Sequence, residues 1–199
     1  LASQPGVAYA WEGTPGFPPV TIHTMGLAGG DVSVSLEESS QYLSGILLAE
    51  AAILEGKNVV QTQSYGIASR GGLSLAEVII DTGEIVFQQV QKPDCILVLT
   101  EEATKKYEIW AAKGVPILYD STLVNARTAP NFTGYAFTQT ASDMGNALSV
   151  NILALGTVTA KTGVVKMETL EEMIRKRFKG AAVEMNLKML AAGRDLAGR

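Results

Sequence analysis

From Asp31 onward, short runs rich in valine, isoleucine and threonine alternate with runs whose apolar residues recur at helical spacing. This alternation limits the chain to few architectures. Val32-Ser33-Val34 reads as a short strand. Leu43, Ile46, Leu47, Ala51 and Leu54 predict an amphipathic helix, stopped where Gly56 takes up left-handed backbone. Asn58 to Gln63 predicts a second strand and Leu73 to Ile80 a third, closed by the turn Asp81-Thr82-Gly83. Pro93-Asp94 introduces a strand from Cys95 to Leu99. Thr100 then serves as N-cap to a helix that opens on Glu101 and Glu102, runs to about Ala112 and stops at Gly114. Val115 to Tyr119 is a further strand, ending in Asp120, and a loop through Pro130 leads to Thr138. One long helix is expected from about Ala141 to Thr159. Helices at about Leu170 to Phe178 and Ala181 to Ala192 follow, ended by Gly180 and Gly193. Strands alternating with helices imply a doubly wound, mainly parallel sheet with helices on both faces, a Rossmann-like α/β domain over residues 31–199.

Residues 1–30 differ. Gly6, Gly13, Gly16, Gly26, Gly29 and Gly30, with Pro5, Pro15, Pro18 and Pro19, predict an irregular N-terminal arm. Tyr9, Trp11 and Phe17 make it too apolar for a free linker, so it is expected to lie on another surface.

With 199 residues, 47% hydrophobic and 18% charged, the chain suffices for one well-buried domain. A net charge of −4 without a basic stripe argues against nucleic acid and anionic membranes. The longest apolar stretch, Met144 to Val158, is broken by Asn146, Ser149 and Asn151. It is too short and polar to span a bilayer and reads instead as a core or interface helix, with Met144, Leu148, Ile152 and Leu155 on one face. No signal peptide is visible, so a cytoplasmic location is expected. Cys95 is the one cysteine, which excludes an internal disulfide and any cysteine cluster for zinc or iron–sulfur. His23, the one histidine, reads as structural or solvated.

In doubly wound sheets ligands gather at the carboxyl ends of strands. Three features map there. The first is the loop after the first strand. The second is Ser64-Tyr65-Gly66-Ile67-Ala68-Ser69-Arg70-Gly71-Gly72, where Arg70 offers a bidentate clamp for phosphate or carboxylate, Gly71-Gly72 permits close backbone approach and Tyr65 supplies a flat face and a hydroxyl. The bland reading is a glycine-punctuated turn whose arginine pairs locally. The third is Asp120, either a functional acid or a cap for the next turn. No Gly-Asp-Gly of the kind that holds a diphosphate through a metal occurs; Gly30-Asp31-Val32 is the nearest approach.

Ile46 to Ala52, Glu55 to Val60, Gln63 to Gly72 and Ala76 to Ile80 follow one another in an order that resembles the gamma subunit (gamma domain) of the 2-oxoacid:ferredoxin oxidoreductases. Lys92-Pro93-Asp94, Val115 to Asp120, Asn151 to Gly156, Thr162 to Val165 and Glu184 to Lys188 before Ala192-Gly193 extend the resemblance over about residues 31–197. It implies an enzyme complex that oxidatively decarboxylates a 2-oxoacid and reduces ferredoxin, usually forming an acyl-CoA. Thiamine diphosphate, Mg2+, [4Fe-4S] clusters and usually coenzyme A would sit on alpha, beta and ferredoxin-like (delta) partners, with ferredoxin as acceptor. This chain would bind no cofactor alone, contribute no catalytic residue and be inactive in isolation. Ser64, Tyr65, Gly66, Arg70, Gly71 and Gly72 would face the active site or coenzyme A. In one respect the chain departs from the pattern. The family's Gly-x-Gly-Gly-Gln-Gly loop falls, without gaps, on Ser35-Leu36-Glu37-Glu38-Ser39-Ser40, or with an insertion on Gly26 to Asp31. Neither keeps the motif, and Glu37-Glu38 would repel a phosphate. Two other readings stand beside this one: a structural or regulatory Rossmann-like module that has lost ligand binding, and a stand-alone Rossmann-like oxidoreductase or nucleotide-dependent transferase.

Overall fold

The structure, a computed structural model, describes residues 7–11, 20–24, 40–65 and 73–198, with side chains from 42 to 64 and from 73 to 198. The chain forms two compact units, Leu1–Ser35 and Leu36–Arg199. In the first unit, β1 (Val7–Trp11) pairs antiparallel with β2 (Val20–Thr24), Val7 opposite Thr24 and Trp11 opposite Val20. The segment expected to be irregular therefore carries a hairpin. Gly13, Pro15, Gly16, Pro18 and Pro19 all fall between the strands, leaving the Val-Thr-Ile-His-Thr run free to pair. The side chains of Tyr9, Trp11 and Phe17 lie outside the described residues, as does Val32 to Val34.

The second unit opens with α1 (Ser40–Leu54), which ends at Gly56 with φ +77°. Next come β3 (Asn58–Tyr65) and β4 (Ser74–Asp81), paired antiparallel from Asn58 opposite Asp81 to Tyr65 opposite Ser74. Two features of the expected architecture meet here with different outcomes. A parallel sheet flanked by helices is present, formed by β5 (Ile96–Val98), β6 (Ile117–Asp120) and β7 (Phe132–Tyr135) in that order. The strands β3 and β4, by contrast, make their own two-stranded sheet. Their connection is too short for the crossover of a dozen or more residues that a parallel pair demands.

Consecutive side chains of β6 feed two cores. Leu118 joins Leu47, Ala51, Phe137, Ile152, Leu170 and Leu190, whereas Ile117 and Tyr119 pack with Val98, Val124 and residues of α2 (Glu101–Ala111). The parallel sheet is thus covered on both faces. Strand β7 stands where the sequence suggested a loop. Its Gly134 has a physical reason: a Cβ there would come within 2.6 Å of the Tyr119 ring, which lies across the strand.

The expected long helix is two helices. Between α3 (Phe137–Asp143) and α4 (Val150–Thr162) lies a 3-10 turn, Ala147–Ser149, and Gly145 at φ +80° breaks the helical path. Leu148 therefore leaves the face it was expected to share with Ile152 and Leu155 and is 89% exposed. α5 (Met167–Arg177) and α6 (Ala181–Ala197) complete the domain. Gly193 does not end α6. It lies inside the helix, where a Cβ would overlap the Leu153 carbonyl of α4, while a Cβ on Gly156 would overlap the Leu190 carbonyl of α6. The two glycines let the helices cross backbone to backbone, and Thr157 Oγ1 donates to the Gly193 carbonyl at 2.7 Å at the crossing. Among the described residues, no helix is long and apolar enough to cross a membrane.

Candidate functional site

At the carboxyl end of β6, Asp120 is fully buried. Its carboxylate accepts hydrogen bonds from Thr122 N (3.0 Å), Thr138 N (3.2 Å) and Thr138 Oγ1 (2.5 Å). It closes the turn after β6 and caps the start of α3, which has no side-chain cap of its own. Those partners leave the carboxylate little capacity for a ligand, so Asp120 is a structural knot. Beside it, the loop before β7 places Arg127 between two acids of α2. Its Nη2 donates to Glu101 Oε1 at 2.6 Å, and its Nε lies 3.4 Å from Glu108 Oε1. Glu101 also accepts from Asn125 N at 3.1 Å. The Arg127 bond, seconded by Asn125, holds the Glu101 carboxyl below its ordinary pKa, and the same bond pushes the Arg127 guanidinium up. The crevice where a dinucleotide would enter such a sheet is thus laced by the protein's own charges. Sequence reading passed over Arg127, whose partners lie far back along the chain.

The Ser64–Gly72 segment, expected at the carboxyl edge of the sheet, connects β3 and β4, which pair antiparallel in a sheet of their own. Gly66, Arg70, Gly71 and Gly72 lie outside the described residues, and Tyr65 is described in its backbone only. Ser35 to Ser39 and Gly26 to Asp31 also lie outside them. Ser64 is exposed and lines a cleft of about 470 Å³ with Thr62, Gln63, Leu75, Glu77 and residues 87–91. That cleft was not legible in the sequence, because residues 87–91 have no regular structure and reach it only through the tertiary fold. A second, smaller groove of about 330 Å³ lies between α1 and α5, lined by Glu50, Ile53, Leu54, Met173, Lys176 and Arg177.

The donor set does not fit an iron–sulfur cluster. Cys95 is half-buried, and burial first, then the neighbouring Asp94 charge, pushes its thiol up to about 11. Among the described residues, no three His, Cys, Asp or Glu side chains gather to hold a metal ion.

The domain is a mixed α/β fold with a short parallel sheet, a separate antiparallel pair of strands and tightly crossed C-terminal helices. Residues 41–196 match the family described as pyruvate ferredoxin/flavodoxin oxidoreductase, and the chain belongs to that family. Among its relatives is the 2-oxoglutarate synthase subunit KorC of Archaeoglobus fulgidus, 41% identical over 157 residues that cover 78% of this chain and 81% of that protein. The pyruvate/ketoisovalerate oxidoreductases common subunit gamma of Pyrococcus furiosus is 30% identical, covering 71% of this chain and 82% of that one. Among solved structures, the keto/oxoacid ferredoxin oxidoreductase gamma subunit of Geobacter sulfurreducens superposes with a TM-score of 0.67 at 38% identity, covering 78% of this chain and 89% of that chain.

Proposed function

We propose that this chain is the non-catalytic gamma subunit of a 2-oxoacid:ferredoxin oxidoreductase. It shapes assembly and the approach to an active site whose thiamine diphosphate, Mg2+ and [4Fe-4S] clusters sit on alpha, beta and delta partners, with ferredoxin as acceptor. The observation that carries this reading is the 41% identity to a KorC subunit along most of both chains. The same relative favours 2-oxoglutarate over pyruvate as the substrate of the complex. A stand-alone dinucleotide enzyme is disfavoured, because Asp120 and Arg127 are spent on internal contacts at the sheet edge. The test is reconstitution: complex assembled with the chain should couple 2-oxoglutarate and coenzyme A to ferredoxin reduction, and partners purified without it should not. Full activity without this chain would sink the reading.

Within that complex, Arg70 contacts a charged ligand, the oxoacid or coenzyme A. Losing one charge-assisted bond costs about 1.5–3 kcal/mol, so Arg70→Ala should raise one KM roughly tenfold or more. Arg70→Lys should recover only part of it, keeping the charge without the fork. Wild-type kinetics in fully loaded Arg70→Ala complex would make Arg70 a turn residue.

A further inference from the structure

Between β6 and β7 the chain makes a short strap, Asn125 to Pro130, whose ends are fixed and whose middle is not. At the near end Val124 is buried against Ile117 and Tyr119, and its N–H donates to the Asp120 carbonyl at 2.9 Å. At the far end Asn131 Nδ2 donates to the Ala111 carbonyl at 2.6 Å and to the Val115 carbonyl at 3.1 Å. Between these anchors every residue except Arg127 is exposed. A segment that buries so little surface opens at a lower free energy than the elements it joins.

One carboxylate holds the strap to α2. Glu101 Oε1 accepts from Arg127 Nη2 at 2.6 Å, and Glu101 Oε2 accepts from Asn125 N at 3.1 Å. Arg127 Nη1 turns back to the Asn125 carbonyl at 2.9 Å, inside the strap itself. The Arg127 N–H reaches the Tyr119 hydroxyl only at 3.4 Å. The latched state also carries a penalty. Arg127 Nε is buried with no hydrogen-bond partner among the described residues, facing Glu108 Oε1 in an ion pair at 3.4 Å. A buried donor without an acceptor costs free energy that water recovers once the strap swings out. The strap leaves from the carboxyl end of β6, the edge at which ligands of doubly wound sheets gather. We infer that residues 125–130 are a gate at that edge, opening as one unit between Val124 and Asn131 when Arg127 leaves Glu101. Opening frees the Glu101 carboxylate on the first turn of α2 and the Tyr119 hydroxyl. Because latch and hinges all lie within this chain, the gate is tested independently of the subunit reading.

The experiment is hydrogen exchange on the full chain, followed amide by amide by NMR. In the wild type the Asn125 amide should exchange faster than the amides of β6, at a rate insensitive to low denaturant, the mark of a local opening. Arg127→Ala leaves Asn125 its own acceptor on Glu101, so any acceleration there reads the gate and not a lost bond. That variant should speed Asn125 exchange by about tenfold, since a hydrogen bond to a charged group holds the strap shut. Glu101→Gln, which keeps an acceptor in place, should act in the same direction. The double variant should add little to either, because the two side chains form one latch. The amides of β6 and of Thr104 in α2 should keep their wild-type rates in all three. The gate is overturned if Asn125 exchanges as slowly as β6 in the wild type, or if neither variant changes its rate. Effects that multiply in the double variant, or an acceleration shared equally by β6 and α2, overturn it as well.

Discussion

Glu55 ties the end of α1 to the start of α5 across 111 positions of sequence. Its Oε1 accepts the Lys166 N–H at 2.6 Å, and its Oε2 meets Lys57 Nζ at 2.9 Å. Lys57 in turn donates to the Val164 carbonyl at 2.5 Å. Lys166 occupies the N-cap position of α5 and provides no side-chain cap, so Glu55 does that work from another helix. With only 13% of its side chain exposed, the carboxylate is poorly replaced by water. A hydrogen bond to a charged group is worth about 1.5–3 kcal/mol, and the partly exposed ion pair adds at most about 1. Glu55→Ala should therefore destabilise the chain by about 2–3 kcal/mol, lowering Tm by roughly 4–12 °C at this size. Glu55→Gln keeps an acceptor and should cost about 1 kcal/mol. Burial alone would push the Glu55 carboxyl up. The bonds from Lys166 N–H, Lys57 and Thr169 outweigh it and hold the carboxyl below its ordinary pKa. A depressed folded-state pKa stabilises above the unfolded value, and that contribution is lost as pH falls through the folded one. Thermal unfolding of wild type and Glu55→Gln from pH 7 to 3 is the assay. The gap between them should be constant at neutral pH, begin to narrow near the unfolded glutamate pKa of about 4.3, and close only as pH falls through the lower folded value. A gap that shows no narrowing by pH 3, or is absent at pH 7, refutes the clasp.

Gly193→Ala should destabilise the domain by about 3 kcal/mol, because the new Cβ meets the α4 backbone and the roughly 1 kcal/mol gain in helix propensity cannot offset it. Gly45→Ala is the matched control: its Cβ would sit 3.4 Å from Ala76, an ordinary contact, so propensity wins and denaturant stability should rise by several tenths of a kcal/mol. Equal effects at both positions would contradict the crossing geometry. With its thiol pushed up to about 11 against an ordinary 9.0, Cys95 should alkylate with iodoacetamide at pH 8 roughly 100-fold more slowly than in urea-unfolded chain. Equal rates would show the thiol to be solvated in the fold.

The sequence carried those parts of the structure whose causes are local. Thr100 caps α2, accepting from Ala103 N at 3.2 Å, because a threonine ahead of two glutamates needs no tertiary help to do so. Glycine was legible where it had to adopt positive φ, as at Gly56 and Gly114, and misread where it had to be small. Gly193 looks like a helix stop from its own neighbours; only the Leu153 carbonyl of another helix shows that it is a contact surface. Gly145 erred in the opposite direction, since apolar periodicity on both sides concealed a break that φ +80° imposes. The site divides in the same way. Ser64 could be named from a motif, but the residues that meet it at the cleft, Phe87 to Gln91, have neither periodicity nor motif and arrive by the path of the chain. Asp120 could be placed at a strand end, yet whether it was free or spent depended on Thr138, the residue that α3 brings to it. A carboxylate holding a hydroxyl at 2.5 Å and two backbone N–H groups is already spent on organising a turn.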